Sequence, residues 1–151
     1  MRVQSILYAT LNPLVRAFLR SPLQGLASGS VCVLHYRGRK SARPYETPLS
    51  YMREGSLVRM LSSHETHWWK NFVDKPAVVE VEIAGRRHRG VARSITLDGE
   101  EFRDGIRRFL TALPRDAWVY GIKLDAHREP RDQDIANAAG HVVLVEVQLS
   151  S

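Results

Sequence analysis

Hydrophobic positions along this chain change period near residue 30. Ahead of it, Val3, Ile6, Leu7, Leu11, Leu14, Val15, Phe18 and Leu19 recur at helical spacing. Asn12-Pro13 reads as an N-cap followed by proline at the first helical position, so two short helices are expected, ended by "RSPLQGLASGS". Beyond it come six runs of strand length: "SVCVLHYRG", "YETPLSYMREG", "SLVRMLSS", "AVVEVEIAG", "HRGVARSITLDG" and "HVVLVEVQL". They are rich in β-branched residues and bounded by glycine or turn residues. Arg53-Glu54-Gly55-Ser56 and Ala84-Gly85-Arg86 read as hairpin turns.

Helical periodicity returns in three places. "THWWKNFVDKP" suits one or two turns stopped by Pro76, and "DQDIANAA" (132–139) suits a short helix. "GEEFRDGIRRFLTAL" (99–113) puts Phe102, Ile106, Phe109, Leu110 and Leu113 on one face of an amphipathic helix. Six strands, mostly hairpin-linked, with helices in front and after the fifth, predict an α+β protein built on a small antiparallel β-barrel, an arrangement that also removes exposed strand edges. The expected division is an N-terminal helical segment, 1–29, and a barrel, 30–151, within one domain.

Composition narrows the picture. The chain has 151 residues, 44% apolar and 25% charged, which is that of a globular protein rather than a disordered one. A net charge of +6 permits nucleic acid, an anionic membrane or an anionic small ligand and selects none of them. The single cysteine, Cys32, excludes an internal disulfide framework and multi-cysteine zinc sites, and its apolar setting predicts a buried, inert thiol. No clean signal-peptide core and no run of about 18 apolar residues is present, so a cytoplasmic protein is expected. The apolar face of residues 3–19, flanked by Arg2, Arg16 and Arg20, leaves two readings: packing on the barrel, the favoured one, or peripheral membrane contact through residues 1–20.

Candidate chemistry concentrates in "RGRKSARPYETP" (37–48), where Arg37, Arg39, Lys40 and Arg43 crowd around Gly38 and Ser41 between the first two strands. Arginine's planar fork and lysine's mobile charge suit a phosphate, and Gly38 permits close backbone approach. No Walker pattern and no G-x-G-x-x-G occurs, and a solvated basic turn explains the same residue types. In "SSHETHWWKNF" (62–72), two adjacent tryptophans cannot share a helical face, which leaves two readings: both as core, or one lining a pocket beside Asn71. His64 and His67 lack the H-E-x-x-H spacing of a zinc helix and read as polar loop residues, so no metal is expected. Ser62 or Ser63 with His64 and Asp74 makes a triad only on paper, without a G-x-S-x-G turn. "GRRHRG" (85–90) is a second basic hairpin, and the interleaved aromatics of an RNA-binding surface are absent, so no nucleic-acid partner is expected.

"FLRSPLQGLASGSVCVLHYRGRKSARPYETPLSYM" and "SSHETHWWKNFVDKPAVVEVEIAGRRHRGVA" together resemble the deazaflavin (F420)-dependent nitroreductases, also described as F420H2-dependent quinone reductases, of the split β-barrel flavin/deazaflavin oxidoreductases. The resemblance covers residues 15–95 well and continues loosely to the last strand. It implies a six-stranded split β-barrel flanked by helices. It also implies coenzyme F420 (with FMN as the alternative) and transfer of hydride to a hydrophobic acceptor such as a quinone or nitro compound. A non-catalytic lipid- or cofactor-binding barrel is the rival from another class. The implied cofactor-binding set is Arg39, Lys40, Ser41, Arg43, Ser63, Trp68 and Asn71, with the basic residues Arg86, Arg87, Arg89, Lys70 and Lys75 facing the acidic tail. Tyr120 is the one candidate for a catalytic role. Ala42 replaces the family's usual glycine after G-R-K-S, and Tyr45 stands where relatives often carry arginine, so a phosphate contact there passes to Arg43 or is lost.

Overall fold

The computed structural model describes residues 30–114 and 116–150; the helices expected over 1–29, with their core and membrane readings, lie outside the described residues. The elements are β1 (Val31–Arg37), β2 (Pro44–Ser50), β3 (Met52–Glu54), β4 (Leu57–Ser63), a 3-10 helix (Trp68–Phe72), β5 (Ala77–Ile83), β6 (Arg86–Ile95), α1 (Glu100–Ala112), α2 (Asp116–Val119), α3 (Asp132–Ala138) and β7 (Val142–Leu149). All strands pair antiparallel, in the order β2-β1-β5-β6-β7-β4-β3.

There are seven strands rather than the expected six. The run "YETPLSYMREG" reads as one strand, yet it breaks at Tyr51. β2 ends paired with β1 (Ser50 opposite Val31), and β3 begins paired with β4 (Met52 opposite Arg59). Two strands one residue apart therefore occupy opposite edges of the sheet. The sheet can only satisfy this by curling until its edges meet, which gives the split-barrel-like α+β fold. Tyr51 itself donates its amide to the Ser30 carbonyl at 2.9 Å.

Strand alternation fills two apolar layers. Cys32, Leu34, Met60, Val79, Val81, Val143, Val145 and Val147 face inward and pack with Trp68, Trp69 and Phe72 of the 3-10 helix. Burial pushes the Cys32 thiol far up, as expected for an inert cysteine. On the outer face, Leu61, Val142 and Leu144 meet Phe102, Ile106, Phe109 and Leu110 of α1 and Ile135 of α3. α1 approaches β7 closely at Gly105, where a Cβ would stand 2.3 Å from a Leu144 methyl. Both hairpin turns sit where the sequence places them, with Gly55 at φ 60 and Ala84-Gly85 at φ 52 and 78, the pair of left-handed residues that a two-residue turn requires.

A chain of alternating charges staples α1 to this outer face. Asp104 pairs with Arg108 at 2.9 Å, Arg108 with Glu54 at 2.9 Å, and Glu54 with Arg59. Arg59 continues to Glu146 at 3.1 Å, Glu146 to Arg93 at 3.1 Å, and Arg93 to Glu101. Arg59 and Glu146 are each only 7% exposed, so each is the other's replacement for water. Replacing Glu146 with alanine is expected to cost about 1.5–3 kcal/mol, because Arg59 loses a charge-assisted hydrogen bond but keeps Glu54. Chemical denaturation should show a lower midpoint at unchanged slope.

The hydrogen bond from Arg59, then the nearby charge of Arg108, hold the Glu54 carboxyl below its ordinary value of 4.5. Its contribution is present above that value and is lost as pH falls through the lower folded-state value. The stability gap between wild type and Glu54→Gln should therefore shrink below about pH 4.5, as urea melts across pH would measure.

Candidate functional site

The loop from β1 to β2 holds its cations together with backbone hydrogen bonds. The Gly38 amide donates to the Arg43 carbonyl at 2.9 Å, and the Ala42 amide to the Gly38 carbonyl at 2.8 Å. The Arg43 amide donates to Ser41 Oγ at 3.2 Å, and Arg37 Nη1 to the Ala42 carbonyl at 2.9 Å. A Cβ at Gly38 would lie 2.8 Å from Ser41 Oγ and 3.1 Å from the Tyr45 ring, so a side chain here would have to displace Ser41 Oγ and the ring. Ala42 adopts φ 59, the left-handed conformation that glycine would take without strain.

A second set of bonds ties the loop to the 3-10 helix. The Arg39 amide donates to Asn71 Oδ1 at 2.8 Å, Asn71 Nδ2 donates to the Trp68 carbonyl at 2.9 Å, and Arg39 Nη1 reaches Asp74 Oδ2 at 2.9 Å. Asn71 thus spends both polar ends inside the protein, as a brace. Lys40 and Arg43 have no ion-pair partner among the described residues.

Three recesses adjoin one another here. The first, about 360 Å³, brings together five of the seven expected residues: Arg39, Lys40, Ser41, Trp68 and Asn71, with Lys70 and His67 beside them. Arg43 sits in the same loop but outside the lining. Trp68 is also a wall of the second recess, about 450 Å³, which holds Ser63 and Tyr120 with Ser62, Thr66 and Asp116. Both tryptophan rings are buried, and Trp69 anchors its Nε1 on the Ser63 carbonyl at 3.2 Å, so only Trp68 faces the recesses as well as the core.

Hydroxyl protons in the second recess are mostly committed. The Ser62 and Thr66 hydroxyls lie 2.5 Å apart and both reach the Ser63 carbonyl; Tyr120 donates to the Leu61 carbonyl at 3.1 Å. Ser63 Oγ instead accepts from the Glu65 amide at 3.1 Å and keeps its own proton.

The third recess, a groove of about 750 Å³, shares Tyr36 and Tyr45 with the first and carries Arg87, Arg89, Glu80 and Glu46. Arg86 and Lys75 do not line it. Tyr36 and Tyr45 stack with centroids 5.7 Å apart, and Tyr45 is 46% exposed. Burial pushes the Tyr36 phenol up. The sequence reading missed this stack, whose signal is the β1–β2 register that sets the two rings directly opposite. His64 tilts against Trp69 at 5.3 Å with its Nε2 buried and without a hydrogen-bond partner among the described residues, while His67 stands at the rim.

The sequence from residue 16 to residue 124 matches the F420H(2)-dependent quinone reductase family. The chain belongs to that family. Membership makes it an F420-dependent oxidoreductase and bears out the resemblance drawn from its motifs. A comparison with curated proteins gives no significant match. Among solved structures, a putative pyridoxamine 5'-phosphate oxidase from Listeria innocua is 14% identical, with 93% of this chain and 94% of that one covered and a TM-score of 0.51. A protein described as a domain-swapped dimer is 18% identical, with coverages of 91% and 96% and a TM-score of 0.55. At these identities the likeness is one of fold.

The quinone reductase family's usual glycine after G-R-K-S makes a direct test of the loop. Ala42→Gly relieves about 1–2 kcal/mol of left-handed strain and adds about 0.5–1 kcal/mol of unfolded-chain entropy. A net stabilisation of up to about 1 kcal/mol is expected in thermal or chemical melts.

Proposed function

We propose that this family member binds reduced coenzyme F420 and uses it to reduce a hydrophobic acceptor such as a quinone or a nitro compound. The observation that supports this reading is the continuity of the three recesses: hydroxyl-lined, then cationic, then a charged groove, joined at Trp68 and at the Tyr36–Tyr45 stack. The residues present fit such a cofactor, because Lys40 has no ion-pair partner among the described residues and lies with Ser41 and Arg39 in one cleft. The bound deazaflavin would supply the hydride.

Lys40, Arg39 and Ser41 would hold the phosphate. Trp68 would form a wall of the site, and Ser63 could offer its proton to an oxygen of the bound cofactor or acceptor. Tyr120 shapes the second recess with its ring, since its own proton is spent on Leu61. Arg87 and Arg89 would attract the acidic tail. No covalent nucleophile is needed, because positioning and exclusion of water are the protein's share.

Adding reduced F420 and reduced FMN to the purified protein and following absorbance distinguishes the cofactors. Reoxidation of the bound deazaflavin on adding a quinone separates an enzyme from a carrier. Lys40→Ala or Arg39→Ala should weaken F420 binding by roughly 1.5–3 kcal/mol, the scale of charge-assisted hydrogen bonds, with the fold intact. Unchanged dissociation constants in both variants would defeat the phosphate assignment. Affinity should also rise with tail length and fall with added salt.

A further inference from the structure

Two of the arginines assigned to the ligand already hold a carboxylate of the chain itself. Arg39 is paired with Asp74 at 2.9 Å and Arg87 with Glu80 at 3.0 Å. Neither pair is built for stability. Asp74 is 79% exposed, and the Arg87 and Glu80 side chains are nearly half exposed, where an ion pair contributes about 0–1 kcal/mol. Their neighbours differ: Lys40, Arg43 and Arg89 have no ion-pair partner among the described residues.

We propose that Asp74 and Glu80 are affinity-setting residues, resident carboxylates that the ligand's phosphate and acidic tail must displace from Arg39 and Arg87. This rests on the placement of phosphate and tail given above. Capture begins at the unpaired cations, Lys40 in the cleft and Arg89 in the groove. Arg39 and Arg87 then exchange an internal carboxylate for a ligand oxygen, which charges the two exchanges against the binding energy. Glu80 does more than compete, because its seat on Arg87 shows that the groove accepts the carboxylate of a glutamyl side chain. A ligand with a single anion can displace only one of the two; a ligand carrying both a phosphate and glutamyl groups can displace both. Each exchange therefore weakens the binding of its own anion, phosphate at Arg39 and glutamyl carboxylate at Arg87.

The test uses two probes, inorganic phosphate followed by tryptophan fluorescence, because Trp68 walls the cleft, and a fluorescently labelled oligo-γ-glutamate followed by anisotropy. At about 0.15 M salt, where screening confines each charge to its surroundings, Asp74→Asn should tighten phosphate binding about two- to five-fold and leave the peptide unaffected. Glu80→Gln should tighten the peptide by a similar factor and leave phosphate unaffected. Both positions are exposed, so both variants fold. If the wild type binds both probes but the variants bind them equally well or more weakly, the carboxylates position the arginines rather than compete for them, and the inference falls alone. If the wild type binds neither probe, the placement of phosphate and tail fails and this inference falls with it.

Discussion

The constraint on which the molecule depends is the bend at Tyr51. A run of eleven residues, 44–54, must pair with β1 in its first part and with β4 in its last, and these strands lie far apart in the sheet order. Closing the sheet satisfies both pairings and brings the C-terminal end of β1, the N-terminal ends of β5 and β7 and the exit of β4 to one rim. The basic loop and the 3-10 helix emerge from that rim as neighbours. The pairing of β1 with β5 sets the end of β1 beside the start of β5 and so brings the Arg39 amide to Asn71, 32 residues further along the chain.

The two apolar layers explain why the rim keeps its shape. β7 is apolar on both faces because it is covered by the 3-10 helix and barrel interior on one side and by α1 and α3 on the other. Glu146 is the buried polar exception, and it survives burial only as the centre of the charge chain running from Asp104 to Glu101. That chain ties α1 to four strands, so the helical layer and the barrel resist deformation as one body. A recess at the rim of such a body can hold its walls at fixed spacing, which positioning of a cofactor requires.

Strand periods, turn residues and the amphipathic stretch at 99–113 made most of this fold legible in the sequence, since each is a local property. The break at Tyr51 was not legible, because nothing in "YETPLSYMREG" interrupts the strand pattern; the change of partner is imposed from elsewhere in the sheet. The same holds at the site. G-R-K-S and W-W-K-N could be read as motifs, but the inward use of Asn71, the committed proton of Tyr120 and the opposition of Tyr36 to Tyr45 depend on register and on contacts between distant segments.

The crowding of Arg37, Arg39, Lys40 and Arg43 has a physical answer in the balance of the loop. Each like-charged pair near contact costs about 1 kcal/mol in a water-like dielectric, so four cations in seven residues oppose the turn by a few kcal/mol. Four hydrogen bonds close it, each contributing about 0.5–1.5 kcal/mol, and Ala42 gives back about 1–2 kcal/mol as left-handed strain. These terms nearly cancel. The link from the Arg39 backbone amide to Asn71 then decides whether the turn stays formed. An anion lodged among the cations converts the repulsion into attraction without asking for any new backbone shape. On the proposed reading, a bound phosphate would stabilise this loop, whereas a solubilising turn of the same composition would gain nothing from one beyond screening.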